Sequence, residues 1–378
     1  MLFRTGLEFV LHEKPKYLGA VLGTAVSLFL VLLLSGFYFG FRRDITIVQD
    51  SFDADLWVTS RAILGFDFAG NFDDLVLAKV VSHPAVQAAS RVVVDFSKWR
   101  IPDTGAMENI QVVGFEPDSG IETDWGIRHP NLAALLHADG QVFVDLKDRP
   151  NLGLRHLGQW GAEFGGRSAR PAGWMKDHRL FNVSCLVVTD LDNARTYLRL
   201  PNNAVHYVAV KCRPGTDLRK AATDLRASLP ENSVHTAREF HDLTQTYWQE
   251  RTGIAPMLFL SMTLAGVVGF MTVFLTFFLL TSQKLPVFAA MKALGASTAE
   301  IGILLAVQLG VVFLAAAAVA GVSLWGALVV FAQTPISVVL PGWVVVLDVG
   351  MMALASALAC GPSLWKVAWA EPAEAFRT

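Results

Sequence analysis

The sequence predicts a membrane α-helical protein of four transmembrane helices, arranged one plus three, with a large extracytoplasmic α+β domain on helical stalk extensions. Three observations carry this. The stretches 17–41, 252–283, 301–332 and 342–365 are apolar and contain no charge except Asp348. Each reaches the roughly 20 residues that a helix needs to cross a bilayer. Residues 42–251, between the first and second stretches, have ordinary soluble composition. Charged residues make up 17% of the 378-residue chain, against roughly 25% in soluble proteins, a deficit that lipid-facing helices explain.

Each element has a local reason. Residues 1–16 place Leu2, Phe3, Leu7, Val10 and Leu11 in an amphipathic pattern, which predicts a helix lying on the cytoplasmic membrane face. The first span is too long for a signal-peptide core and reads as a retained anchor. Beyond it Ile45, Val48 and Phe52 recur at helical spacing, so its helix is expected to continue outward. The second span has a matching forerunner. Thr236 and Glu239 form a capping-box pattern, followed by Phe240, Leu243 and Tyr247 at helical intervals and a kink at Pro256. Together the two extensions predict a rigid stalk; the alternative is a pair of amphipathic helices packed beneath the outer domain. Between them, helices are expected over 74–82 and 218–228. Strands are expected over 89–94, 110–114, 141–145, 180–189 and 205–211. Residues 157–173, rich in Gly and Arg, read as a flexible loop.

Charge sets the sidedness. Arg4, Lys14 and Lys16 precede the first span and Arg42 and Arg43 follow it, nearly a tie. The loop at 284–300 holds Lys284 and Lys292, whereas 332–341 is uncharged, so the positive-inside rule puts both termini and the 366–378 tail in the cytoplasm. Tyr247, Trp248, Trp343, Trp365 and Trp369 occupy interface-belt positions. Gly266, Gly269, Gly310, the alanines of 315–318, Gly321, Ala353 and Ala357 predict close helix packing, not a pore. Asp348 reads either as a partly hydrated carboxylate near the outer interface or as a proton or substrate site.

Composition excludes several functions. A net charge of −2 with no basic cluster gives no footprint for nucleic acid. GxxxxGK[ST], GxSxG and CxxC patterns are lacking, and His235, Glu239 and His241 do not have HExxH spacing. No catalytic residue, metal site or cofactor is expected. Cys185 and Cys212 could pair or remain buried thiols.

The most informative stretch, 283–300, lies between the second and third spans. Pro286 suits the first turn of a short helix, Gly295 its left-handed end, and Ser297 with Glu300 the cap of the next helix. Phe288, Met291 and Leu294 are expected to form an apolar stripe beside Lys292, facing either a protein partner or lipid headgroups.

The run Ala290, Met291, Lys292, Ala293, Leu294, Gly295, Ala296, Ser297 resembles the coupling-helix motif of FtsX/MacB-type (type VII) ABC-transporter permeases. The one-plus-three topology and the tail Glu371, Pro372, Ala373, Glu374, Ala375, Phe376, Arg377 resemble theirs too. Leu11 to Lys14, Gly36 to Phe41, Ser97 to Arg100 and Val113 to Pro117 are most similar to DevC-type permeases. The resemblance implies a homodimeric, multi-pass subunit of the bacterial inner membrane, with no enzyme activity of its own and a periplasmic outer domain. It implies a separate cytoplasmic ATPase bound through Pro286, Phe288, Met291, Lys292, Leu294 and Gly295. It also implies a periplasmic adaptor, an outer-membrane channel, and export driven by mechanotransmission through a stalk that includes Ile45, Val48, Phe52, Phe240, Leu243 and Tyr247. Family members often carry acidic residues in the arm before the coupling helix; here it reads Gln283, Lys284, Leu285, Pro286. A mechanotransmitter controlling a cell-wall hydrolase and a lipoprotein-extraction permease are the alternatives.

Overall fold

The computed structural model describes residues 14–127, 132–159, 162–181, 185–332, 334 and 336–369. The expected amphipathic segment falls mostly on 1–13, and the tail motif on 370–378, outside the described residues. The chain divides into two compact units, one of 1–40, 256–334 and 338–378, the other of 41–255 and 335–337.

The first unit is helical. Helix α1 (Lys14–Asp44) carries no acidic residue in its first turn and ends on Arg42 and Arg43, cations that suit a helix C-terminus. With α8 (Ile254–Gln283), α9 (Leu285–Ala293), α10 (Thr298–Phe331) and α11 (Gly342–Trp369) it forms the unit. Among the described residues, three helices are long and apolar enough to cross a membrane, over Tyr17–Asp44, Ile254–Thr276 and Thr298–Phe331, and Gly342–Leu358 is a shorter apolar run within α11. Tyr17, Ala20, Ala25, Leu28 and Leu32 of α1 pack on Val273, Leu309, Val312, Ala316, Ala320 and Met352. Of the small residues expected to bring helices together, Gly269 does so: a Cβ there would meet Ser27 at 3.0 Å and Met352 at 3.1 Å. Gly266, Gly310 and Gly321 have open space instead. Asp348 is 3% exposed, and its Oδ2 has no hydrogen-bond partner among the described residues.

The second unit is built on a nine-stranded sheet. Strand β3 (Val86–Arg100) is long enough to serve two neighbourhoods. Its first half pairs with β10 (Tyr207–Cys212), beyond which lie β1 (Leu56–Ser60) and β11 (Asn232–Thr236). Its second half pairs antiparallel with β4 (Met107–Phe115). From β4 the order runs through β8 (Cys185–Asp190), β5 (Gln141–Asp145), β7 (Arg167–Met175) and β6 (Ala162–Phe164), and β6 returns to β3 at Arg100↔Glu163. The last six strands thus close into a ring.

Closure explains the composition of these strands. β5 and β8 are buried on both faces, so they read as continuous apolar runs without alternation. Leu186 and Val188 face one core and Cys185 and Val187 another. Cys185 and Cys212 are buried and free, not paired. The expected loop over 157–173 is instead largely the β6–β7 hairpin, turning at Gly165 and Gly166, both with positive φ. A Cβ at Gly165 would lie 2.0 Å from the Tyr197 carbonyl oxygen. Helices α3 (Leu75–Val81) and α6 (Leu218–Ser228) fall where expected, the latter capped by Asp217, which accepts from Arg219 N at 3.0 Å and Lys220 N at 3.2 Å. Helices α4 (Leu132–His137) and α5 (Leu191–Leu198) and the short pair β2 (Phe72–Asp73) and β9 (Ala204–Val205) are additions to the expected set.

Candidate functional site

Two places concentrate what the sequence singled out: the short helix between α8 and α10, and the two passages by which the chain enters and leaves the second unit.

The short helix α9 follows the local rules. Its cap residue is Lys284, with Pro286 in the first turn. Gly295 lies just past its end with φ +97, and the Ala296 N–H donates to the Met291 carbonyl at 2.9 Å, closing the terminus. Ser297 and Glu300 then form a reciprocal capping box: Glu300 N donates to Ser297 Oγ at 3.2 Å, and Ser297 N donates to Glu300 Oε2 at 2.8 Å. Within this frame the expected stripe divides. Phe288 is fully buried against Ile301, Leu304 and Leu305, with Met291 packed at the rim. These residues hold α9 to α10 and do not face outward. Leu294 is 90% exposed, and Val287 and Ala290 are exposed beside it. The outward apolar face is therefore Val287, Ala290 and Leu294, one helical stripe offset from the one read in the sequence.

The arm before α9 is anchored from within. Lys284 is buried, and its ammonium donates to the Tyr17 hydroxyl at 3.0 Å while lying 5.0 Å from the ring centroid. The Tyr17 hydroxyl in turn donates to Gln308 Oε1 at 2.8 Å. One cation thus ties the starts of α1 and α9 to α10. In the sequence Lys284 is only a loop charge, because Tyr17 stands 267 positions away.

The passages at the second unit correct the stalk. Helix α1 stops at Asp44, a turn covers Ile45 and Thr46, and α2 (Ile47–Asp50) is a single turn. Phe52 is not helical: it forms an isolated bridge with Thr123 and meets Trp57, Phe115 and Trp125 edge-on at 5.4, 5.7 and 5.5 Å. Ile45 and Val48 are buried as well. The return helix α7 (Ala237–Arg251) forms as expected, with the capping box of Thr236 and Glu239. It does not run on into α8: Gly253, with φ +71, separates the two, and Pro256 sits harmlessly in the first turn of α8. Phe240 is fully buried among Trp57, Phe66 and Tyr207, with Leu243 packed against the same core. Tyr247 packs at a tilt against Phe68, and the Trp248 indole donates to Asp67 at 3.0 Å, so both have partners inside this unit.

Polar pairs also bridge the two passages. Gln245 Oε1 accepts from Arg42 Nε at 2.9 Å and Nη2 at 2.7 Å. Thr244 Oγ1 donates to Gln49 Oε1 at 3.1 Å. His241 Nδ1 lies 3.0 Å from Asp50 Oδ1, and this carboxylate, ahead of opposing burial, raises the imidazole pKa. His235, Glu239 and His241 do not converge: His235 stacks on Phe240, Glu239 serves the cap and His241 faces Asp50.

Residues 259–372 match the family model for the FtsX-like permease C-terminal region. Among curated proteins, none matches. Solved structures similar to the chain include the periplasmic region of MacB from Actinobacillus actinomycetemcomitans, with 11% identity, 49% of this chain and 90% of that one covered, and a TM-score of 0.36. The extracellular domain of the noncanonic ABC-type transporter YknZ from Gram-positive bacteria aligns with 13% identity, 48% and 98% coverage, and a TM-score of 0.36. A domain of a putative permease protein from Porphyromonas gingivalis aligns with 16% identity, 50% and 90% coverage, and a TM-score of 0.31.

Proposed function

We propose that this chain, whose residues 259–372 are an FtsX-like permease C-terminal region, is the membrane subunit of an ABC transporter that couples a separate cytoplasmic ATPase to movement of the domain at 42–251. The observation that carries this reading is α9, a short helix pinned from below by Phe288 and Lys284, with Val287, Ala290 and Leu294 left facing outward. A helix held this firmly and exposed this way is suited to receive a push from a partner and pass it to α10. In this reading α1, α8, α10 and α11 are four spans of the bacterial inner membrane, both termini are cytoplasmic and 42–251 is periplasmic. The subunit acts as a DevC-like homodimer in efflux, with a periplasmic adaptor and an outer-membrane channel. Mechanical transmission suits it, because the described spans are packed by apolar side chains around α1 and offer a hydrophilic cargo little purchase.

The test separates docking from folding. Val287→Asp with Leu294→Asp places two carboxylates where an apolar groove would bury them, at a cost of several kcal/mol, and leaves the cluster of Phe288 with Ile301, Leu304 and Leu305 untouched. The variant is expected to insert normally and to lose co-purification with the cytoplasmic ATPase; retention at wild-type strength overturns the assignment. Sidedness is tested by single cysteines. A thiol at Ser168 is expected to react with an impermeant reagent from outside and one at Ser297 to be protected, and the opposite pattern overturns the orientation.

A further inference from the structure

The Gln245 amide stands between two groups that make opposite demands on it. Its oxygen accepts from Arg42 Nε at 2.9 Å, from Arg42 Nη2 at 2.7 Å and from Gln249 Nε2 at 3.3 Å. Its nitrogen donates to the Arg42 backbone carbonyl at 3.3 Å and lies 3.0 Å from His241 Nε2. A guanidinium only donates and a carbonyl only accepts, so Arg42 fixes the amide orientation at both ends. His241 Nε2 must then accept from the amide N–H. Its one proton sits on Nδ1, towards Asp50 Oδ1 at 3.0 Å. In this arrangement the imidazole is neutral.

A second proton on His241 would set N–H against N–H. The conflict is relieved by turning the Gln245 amide over, which gives the oxygen to His241 and points the amide N–H groups at the Arg42 guanidinium. We propose that protonation of His241 and the Arg42 grip on Gln245 are mutually exclusive, so that this junction is a proton-operated latch on the last turn of α1. The charged groups acting on His241 are Asp50 from α2, Asp242 from its own helix and Arg42 from α1. Asp50 and Asp242 favour the second proton, whereas Arg42 opposes it through its charge and through the amide it holds. The coupling is reciprocal: whatever pulls Arg42 away from Gln245 raises the proton affinity of His241, and a proton on His241 loosens Arg42. Asp50 raises the imidazole pKa above the ordinary histidine value near 6.5, so the latch is set by pH through a group that the junction itself tunes.

The experiment uses the full chain in lipid nanodiscs. Hydrogen–deuterium exchange is followed at the amides of Ile45 and Thr46, which donate to Phe41 and Arg43 at the end of α1, at about pH 5.5 and about pH 8.5, either side of the ordinary histidine value. After correction for the chemical rate, exchange in the wild type is expected to be about tenfold faster at the lower pH, as losing one charge-assisted hydrogen bond implies. His241→Phe cannot take the proton and is expected to lose this pH dependence. Gln245→Glu offers a carboxylate that accepts from Arg42 and imidazolium together, so it is expected to keep the turn protected at both pH values while raising the His241 titration midpoint, read from its ring carbon resonance. Equal protection of the wild type at both pH values, or the same acid loosening in His241→Phe, overturns the proposal.

Discussion

The chain enters and leaves its second unit by two passages that look alike in sequence and are built differently. Both present apolar residues at helical spacing beside an apolar span. The outgoing one, from Phe41 to Phe52, is a helix end, a turn and one further turn of helix before the chain extends. The returning one is a capped 15-residue helix cut from the next by a left-handed glycine. In both, apolar residues serve the core of the unit, and polar pairs bridge the passages: Arg42 with Gln245, Gln49 with Thr244, Asp50 with His241. Apolar spacing therefore reports where a segment is anchored, and the polar residues between report what it is coupled to.

The comparison can be broken most decisively at its anchors. Phe52→Ala and Phe240→Ala each empty a fully packed aromatic site and are expected to destabilise the second unit by about 3–5 kcal/mol, read as a lowered melting temperature. If either leaves melting unchanged, that passage is a free-standing stalk after all. Gly253→Ala sharpens the difference between the passages. No neighbouring atom would meet the new Cβ, so the whole effect is backbone strain of about 1–2 kcal/mol, and no similar cost is expected for Ser51→Ala's backbone on the outgoing side, where φ is −75.

Smaller effects come from the cap that only the returning passage has. Thr236→Ala is expected to cost about 1 kcal/mol, measured by denaturant melts. The cap also has a pH signature. The Thr236 backbone N–H holds the Glu239 carboxyl below its ordinary value of 4.5. Its contribution is complete above that value and is lost as pH falls through the depressed folded value. Glu239→Gln is expected to remove this acid sensitivity with little change near neutrality, so an unchanged acid limb would show that the carboxylate does not support α7.

Features settled within a few residues were legible in the sequence: the capping boxes of α7 and α10, Pro286 opening α9 and Gly295 closing it, and β5 and α6 along their whole length. Features settled by distant partners were not. Residues inward on β7 are Ala169, Pro171, Gly173 and Met175; only the last is a large apolar side chain, so the alternation that marks a strand is absent. Gly173 is there because a Cβ would crowd the Phe143 ring at 3.0 Å, a contact no local pattern encodes. β1 is hidden for the opposite reason, being buried on both faces. For α9, helical spacing put Phe288, Met291 and Leu294 on one face but could not say which member turned inward, because α10 makes that choice. Lys284 is the clearest case: a loop cation by sequence, yet a buried tether to Tyr17 and Gln308.

That tether also has a consequence for how the chain is made. Tyr17 and Lys284 are separated by 267 positions, and synthesis proceeds at about 5–20 residues per second, so the first helix leaves the ribosome tens of seconds before its cation exists. Throughout that interval the face of α1 that later meets α10 and α11 has no partner from its own chain. Insertion machinery, lipid or another nascent copy must shelter it, and this early helix is where crowding or translational pausing would most easily divert assembly.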